Sequence, residues 1–101
     1  MKKHELKILP EYFYAVLNRE KLFEFRKNDR AYKLGDLIIL REWDGSSYTG
    51  RFTSPFQITF ILSEFEGLEP GYVVLGLRDY VRPNSRPNNE KRESTENPST
   101  P

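Results

Sequence analysis

The sequence of 101 residues predicts an α+β fold, a curled sheet or small mixed β-barrel of five or six short strands with one early helix. Three observations carry this. Short runs rich in β-branched and aromatic residues recur between clusters of turn formers. One stretch of helical spacing follows the first run. The stretch from Pro83 to Pro101 holds no Leu, Ile, Val, Phe, Tyr or Trp, so it cannot bury enough apolar surface to offset the entropy of ordering. A folded domain over residues 1–82 and a disordered tail over residues 83–101 are expected.

"KHELKIL" (residues 3–9) alternates polar and apolar positions and predicts a first strand. Pro10 suits the first turn of a helix, where its missing N–H costs little. Phe13, Val16 and Leu17 then give one apolar stripe on a helix of about two to three turns. "KLFEF" (21–25) predicts the second strand. A Gly35-Asp36 turn leads into a third, with Leu37, Ile39, Arg41 and Trp43 on one face and Ile38, Leu40 and Glu42 on the other. "DGSS" (44–47) is a turn, and "YTGRF" (48–52) leaves it as a strand. "FQITFIL" (56–62) and "YVVLGL" (72–77) complete the set. Between them, "EPGY" puts Pro70 and Gly71 at the central positions of a type II turn.

Composition narrows the chemistry. Without cysteine there is neither a disulfide framework nor a thiolate metal site, and a single His builds no His-rich centre. No metal and no cofactor are expected. The basic start "MKKHELK" is followed by no apolar core of a signal peptide, and no run approaches the roughly 18 residues of a membrane span. A soluble, cytoplasmic protein with no membrane partner is expected. The net charge is +1, but Arg19 to Lys33 alone carries six cations against three acids. Such a segment can hold an anion locally, because charges act strongly only within about a Debye length.

"KLFEFRKNDR" (21–30) concentrates that charge. As a strand it sets Phe23 and Phe25 on one face, expected to be core, and Leu22, Glu24 and Arg26 on the other. That second face is either solvent, with a surface ion pair worth ~0–1 kcal/mol, or the wall of a polar cleft. In the cleft reading, Lys21 and Arg26 hold a phosphate or carbonyl, and Glu24 accepts from an amino group such as a base edge. Asn28 and Asp29 are turn formers flanked by Lys27 and Arg30, a combination that presents cations and backbone N–H groups together. Trp43 sits at a strand end beside Arg41. It either stacks on a nucleobase together with Tyr48 or covers the end of the barrel. His4 reads as a satisfied structural residue, Ser46 and Ser47 as turn residues. There is no glycine-rich phosphate loop.

The stretches "HELKILPEYFYAVLNREKLFEFRKNDRAYKLGDLIILREWD", "YTGR" and "GLEPGYVVLGL" resemble a family of small bacterial and phage proteins of unknown function. That family lies within the ASCH (activating signal cointegrator homology) superfamily. The resemblance covers residue 4 to about residue 78. It implies a PUA-like β-barrel with flanking helices and a role in binding RNA. It also implies a ligand cleft lined by the Lys and Arg of a motif resembling Gly-x-Lys-x-x-x-x-Arg, and Lys21 and Arg26 fall on these two positions. Arg19 stands where the motif opens with Gly, which implies a narrowed or recharged entrance. One branch looks like amidohydrolases of acetylated cytidine, using a Lys, a Thr on the same strand and a distant Glu. Lys21 matches the first, whereas Glu24 occupies the Thr position.

Three functions follow as expectations. The first is a non-enzymatic module binding RNA or a modified nucleoside. There Lys21, Arg26, Lys27 and Arg30 meet phosphate, Glu24 and Asn28 read polar edges, and Arg41 and Trp43 extend the surface. The second is a small amidohydrolase of N4-acylated cytidine nucleosides, with Lys21 and Glu24 as the acting pair. The third is a phage or bacterial regulator acting through contact with another protein.

Overall fold

Alternation along the first segment buries His4, Leu6 and Ile8 and turns Lys3, Glu5 and Lys7 outward, forming β1 (Lys3–Ile8). The computed structural model describes residues 1–82, so the expected tail lies outside the described residues. Pro10 opens α1 (Pro10–Leu17), which buries Phe13 and Val16. Leu17, expected on the same stripe, is exposed. The remaining elements are β2 (Phe23–Lys27), β3 (Leu37–Trp43), β4 (Tyr48–Phe52), β5 (Phe56–Ser63) and β6 (Tyr72–Asp79). They form a mixed six-stranded sheet of order β1-β3-β5-β6-β2, with β4 pairing β3 beside this path. β1 and β3 are parallel, and every other pair is antiparallel. No helix among the described residues is long and apolar enough to cross a membrane.

β3 explains much of the layout. Its inner face, Ile38, Leu40 and Glu42, is buried as alternation predicts. Its start pairs β5 at Leu37 and Ile38, and its end pairs β4 at Arg41 and Trp43. At the break between those partners, Thr53 N–H donates to Leu40 O at 2.9 Å and Leu40 N–H donates to Thr53 Oγ1 at 3.1 Å. A buried hydroxyl thus substitutes for a missing rung. The Asp44 turn closes by accepting the N–H groups of Ser46 at 2.8 Å and Ser47 at 2.9 Å, and these bonds lower the Asp44 pKa. The "EPGY" turn has Gly71 at φ 87° and Tyr72 N–H on Glu69 O at 3.2 Å.

Three further expectations are corrected. The sheet does not close into a barrel. β1 and β2 are its two ends and share no ladder. The pairing directions set them antiparallel across the opening, and arginine side chains span it instead. Arg26 Nη2 donates to Lys7 O, and Arg30 Nη1 donates to Glu5 O at 3.3 Å. These β1 carbonyls are thus met by guanidinium groups of the β2 side instead of by a strand ladder.

The faces of β2 are the reverse of those expected. Phe23 and Phe25 are 45% and 53% exposed, while Glu24 is 3% exposed. Register with β6 decides this: Glu24 stands opposite buried Leu75, and Phe25 opposite Val74 on the outer face. Phe25 finds its partner there by stacking on Tyr72, centroids 5.2 Å apart.

The strand also starts two residues later than expected, because the preceding residues cap α1. Arg19 N–H donates to Val16 O and Glu20 N–H to Ala15 O, at 3.0 and 2.8 Å, with Arg19 at φ 63°. This is a Schellman motif, and its left-handed position is one that glycine usually fills.

Candidate functional site

The opening between β1 and β2 is the cleft. Glu24 lies at its floor with each carboxylate oxygen accepting from a different cation. Lys21 Nζ donates to Oε2 at 2.6 Å and Arg26 Nε to Oε1 at 2.9 Å. Lys21, held over the start of β2 by the helix cap, also donates to Phe23 O at 2.7 Å. An ammonium has three N–H donors and a guanidinium five. Lys21 therefore keeps one donor and Arg26 three for other acceptors, after the bond of Arg26 to Lys7 O. A carboxylate buried among cations fixes where their remaining donors point.

Arg26 divides the opening into two chambers. The first, of about 400 Å³, has largely apolar walls from Ile8, Leu9, Tyr12, Phe23 and Phe25 around the Lys21–Glu24–Arg26 network. Lys21 Nζ stands 4.8 Å from the centroid of the Phe23 ring and 5.9 Å from that of Tyr12. The second, of about 320 Å³, is lined by Lys27, Asp29, Arg30 and Tyr32 together with Arg26, Phe25, Leu6 and Tyr72. Burial raises the Tyr32 pKa against the opposing pull of Arg26 and Arg30.

The other expected residues are distributed as follows. Asn28 lines neither chamber, and its N–H donates to Gly71 O at 2.8 Å. Arg41 and Trp43 lie on the outer face of β3, with the Arg41 guanidinium 4.1 Å from the Tyr48 centroid and Trp43 edge-on to Tyr48 at 5.0 Å. Lys7 joins this cluster to the cleft, since it lines the first chamber while its Nζ sits 3.9 Å from the Trp43 centroid. Sequence reasoning missed Lys7 and Tyr12. Both lie on elements read only as scaffold, and no local signal announced that β1 would border the opening. Arg19 does not line the cleft. It turns away to Asp79, at 2.9 and 3.1 Å, and to the carbonyls of Val16 and Leu17.

Two polar groups elsewhere are structural. His4 Nε2 donates to Asp36 Oδ2 at 2.9 Å, both residues buried. Glu42, 1% exposed, accepts from Thr49 Oγ1 at 2.6 Å and Arg51 Nε at 2.8 Å.

Residues 3–77 match the family model described as a domain of unknown function, DUF3850. The chain belongs to the DUF3850 family. Both chambers lie wholly within the matched span. An uncharacterized 12.9 kDa protein in the GpA 3′ region of Escherichia phage P2 is similar to this DUF3850 chain. It is 50% identical over 50 residues, covering 50% of this chain and 46% of that protein. The match thus spans about half the length of the phage relative.

Proposed function

We propose that the opening between β1 and β2 binds a nucleobase of RNA or of a modified nucleoside, without chemistry. The observation that carries this reading is the Lys21–Glu24–Arg26 network at the floor of an aromatic-lined cleft. A planar base packs against the rings of Tyr12 and Phe23 through its π-face. Its carbonyl oxygens or ring acceptors meet the remaining donors of Lys21 and Arg26. Glu24 positions both cations, and because each of its oxygens accepts from only one of them, a lone pair on each is left for an amino edge of the base. The volume lies at the small end of ligand pockets, which suits one nucleoside. The resemblance to ASCH domains, whose cleft carries a Lys and an Arg at these positions, supports the same reading and a PUA-like ancestry for the open sheet.

The test is calorimetric titration of the full chain with ribonucleosides, N4-acetylcytidine and short single-stranded RNAs at low salt. Binding that weakens about tenfold or more in Lys21→Ala and in Arg26→Ala is expected, each a loss of roughly one to two charge-assisted hydrogen bonds. No binding by any of these compounds contradicts the reading.

The 2.6 Å contact of Lys21 with Glu24 also favours a second reading, an amidohydrolase of acylated cytidine in which the pair shares a proton. Chromatography of N4-acetylcytidine incubated with the protein separates the two. Cytidine release abolished by Lys21→Ala supports the enzyme, and no turnover above buffer removes it.

A further inference from the structure

Resting on that reading of the first chamber, we infer that the second chamber is a phosphate subsite, so that the ligand is a nucleotide rather than a bare nucleoside. The two chambers adjoin. Arg26 and Phe25 line both, and the guanidinium that reaches across to Lys7 O forms the partition between them. A ligand group attached to a base in the first chamber reaches the second by passing Arg26.

The chambers differ in chemistry. Each holds three cations and one acid, but Lys21 and Arg26 of the first are tied to Glu24, whereas the second adds Lys27 and Arg30 to Arg26 beside Asp29. Neither Lys27 nor Arg30 forms an ion pair with a carboxylate among the described residues. Arg30 uses one Nη1 donor on Glu5 O, which fixes the guanidinium at the chamber wall and leaves its other N–H groups for a ligand. Tyr32 lines the same chamber, and because burial raises its pKa the ring stays neutral and adds no negative charge. A pocket with this surplus of cations, two of them arginines, fits a tetrahedral dianion with several acceptor oxygens. A phosphate monoester carries about −1.5 to −2 charge at neutral pH, and a bridging diester about −1. Either matches the chamber. Uncharged ribose hydroxyls offer Lys27 and Arg30, the two cations of the chamber without a carboxylate partner among the described residues, no charge to meet.

The experiment is calorimetry on the full chain at constant ionic strength, comparing each common ribonucleoside with its 3′- and 5′-monophosphates, with inorganic phosphate as competitor. A short single-stranded RNA is the additional arm. At least one monophosphate is expected to bind about tenfold or more tightly than its nucleoside, and inorganic phosphate is expected to compete with that gain. In the Lys27→Ala/Arg30→Ala double variant the ratio of nucleotide to nucleoside affinity is expected to fall to within about twofold of one. A melting transition retained in circular dichroism shows that the variant folds, and Arg30→Lys provides a milder change if it does not. Tighter binding of the oligonucleotide than of either monophosphate assigns the phosphate to an RNA backbone, and the reverse assigns it to a free nucleotide. Equal affinity for nucleoside and nucleotide in the wild type overturns the phosphate subsite and leaves the base-binding reading intact. Absence of binding by both classes overturns the two together.

Discussion

Glu24 Oε2 accepts a hydrogen bond from Lys21 Nζ at 2.6 Å, three residues back in the chain, at a position where the carboxylate is almost fully buried. The contact joins the capped end of α1 to the edge strand β2. Together with Arg26 on the other oxygen it makes Glu24 the tie between helix, strand and cleft floor. Removing the carboxylate leaves two partly buried cations side by side. Glu24→Ala is therefore expected to destabilise the fold by about 3 kcal/mol. Glu24→Gln, which keeps an acceptor but not the charge, is expected to cost about 1–2 kcal/mol. Urea unfolding followed by circular dichroism gives both values, and a change below about 0.5 kcal/mol for Glu24→Ala would mean the network holds nothing together.

Arg19 allows a separate test of local strain. Its left-handed backbone costs a non-glycine residue roughly 1–2 kcal/mol, partly offset by its bonds to Asp79 and to the last helix carbonyls. Arg19→Ala loses the bonds without relieving the strain and is expected to destabilise by about 1 kcal/mol. Arg19→Gly loses the bonds but relieves the strain, so it is expected to stay within about 0.5 kcal/mol of the wild type. Thermal melts in the order Gly above Ala check the assignment.

Acid sensitivity is expected from Asp36. Burial works to raise its pKa, but hydrogen bonds from His4 and from the N–H groups of Lys2 and Lys33 outweigh it, and the folded value lies below the ordinary 3.8. The unfolded chain therefore takes up this proton first as pH falls. The stabilisation is complete above pH 3.8 and is lost as pH drops through the lowered folded value. Unfolding free energies measured below about pH 4 are expected to fall less steeply in Asp36→Asn than in the wild type.

Much of the fold was legible from side-chain period. The alternation in β1 and β3 and the turns at Asp44 and Gly71 all needed only local chemistry. In β2 the local pattern misleads, because two phenylalanines one step apart outweigh a lone glutamate. Only register with β6, set by residues some fifty positions away, turns Glu24 inward. Closure failed for a related reason. Whether the first and last strands of a sheet meet depends on side chains between them, and Arg26 and Arg30 stand in that gap. Of the site, the cations of residues 21–30 were visible as a charge cluster, while Lys7 and Tyr12 became visible only when the opening placed β1 and α1 beside them. Arg41 and Trp43 were grouped with the cleft because both types suit nucleic acid. Their strand instead puts them on the outer face, linked to the cleft through Lys7.

The link through Lys7 makes the sole tryptophan a reporter. With Nζ 3.9 Å from the indole centroid, Lys7→Ala is expected to shift Trp43 emission and to cost about 0.5–1 kcal/mol of stability. Unchanged emission would show that the ammonium does not rest on the ring in solution.

The most direct test of a ligand held between β1 and β2 is an amide-resolved NMR titration of the labelled protein with the tightest-binding nucleotide. Shift changes concentrated at Lys7–Leu9 and Phe23–Arg30, and lost in Arg26→Ala, are expected. Changes confined to the outer face around Arg41–Tyr48, or none at saturating nucleotide, would contradict it.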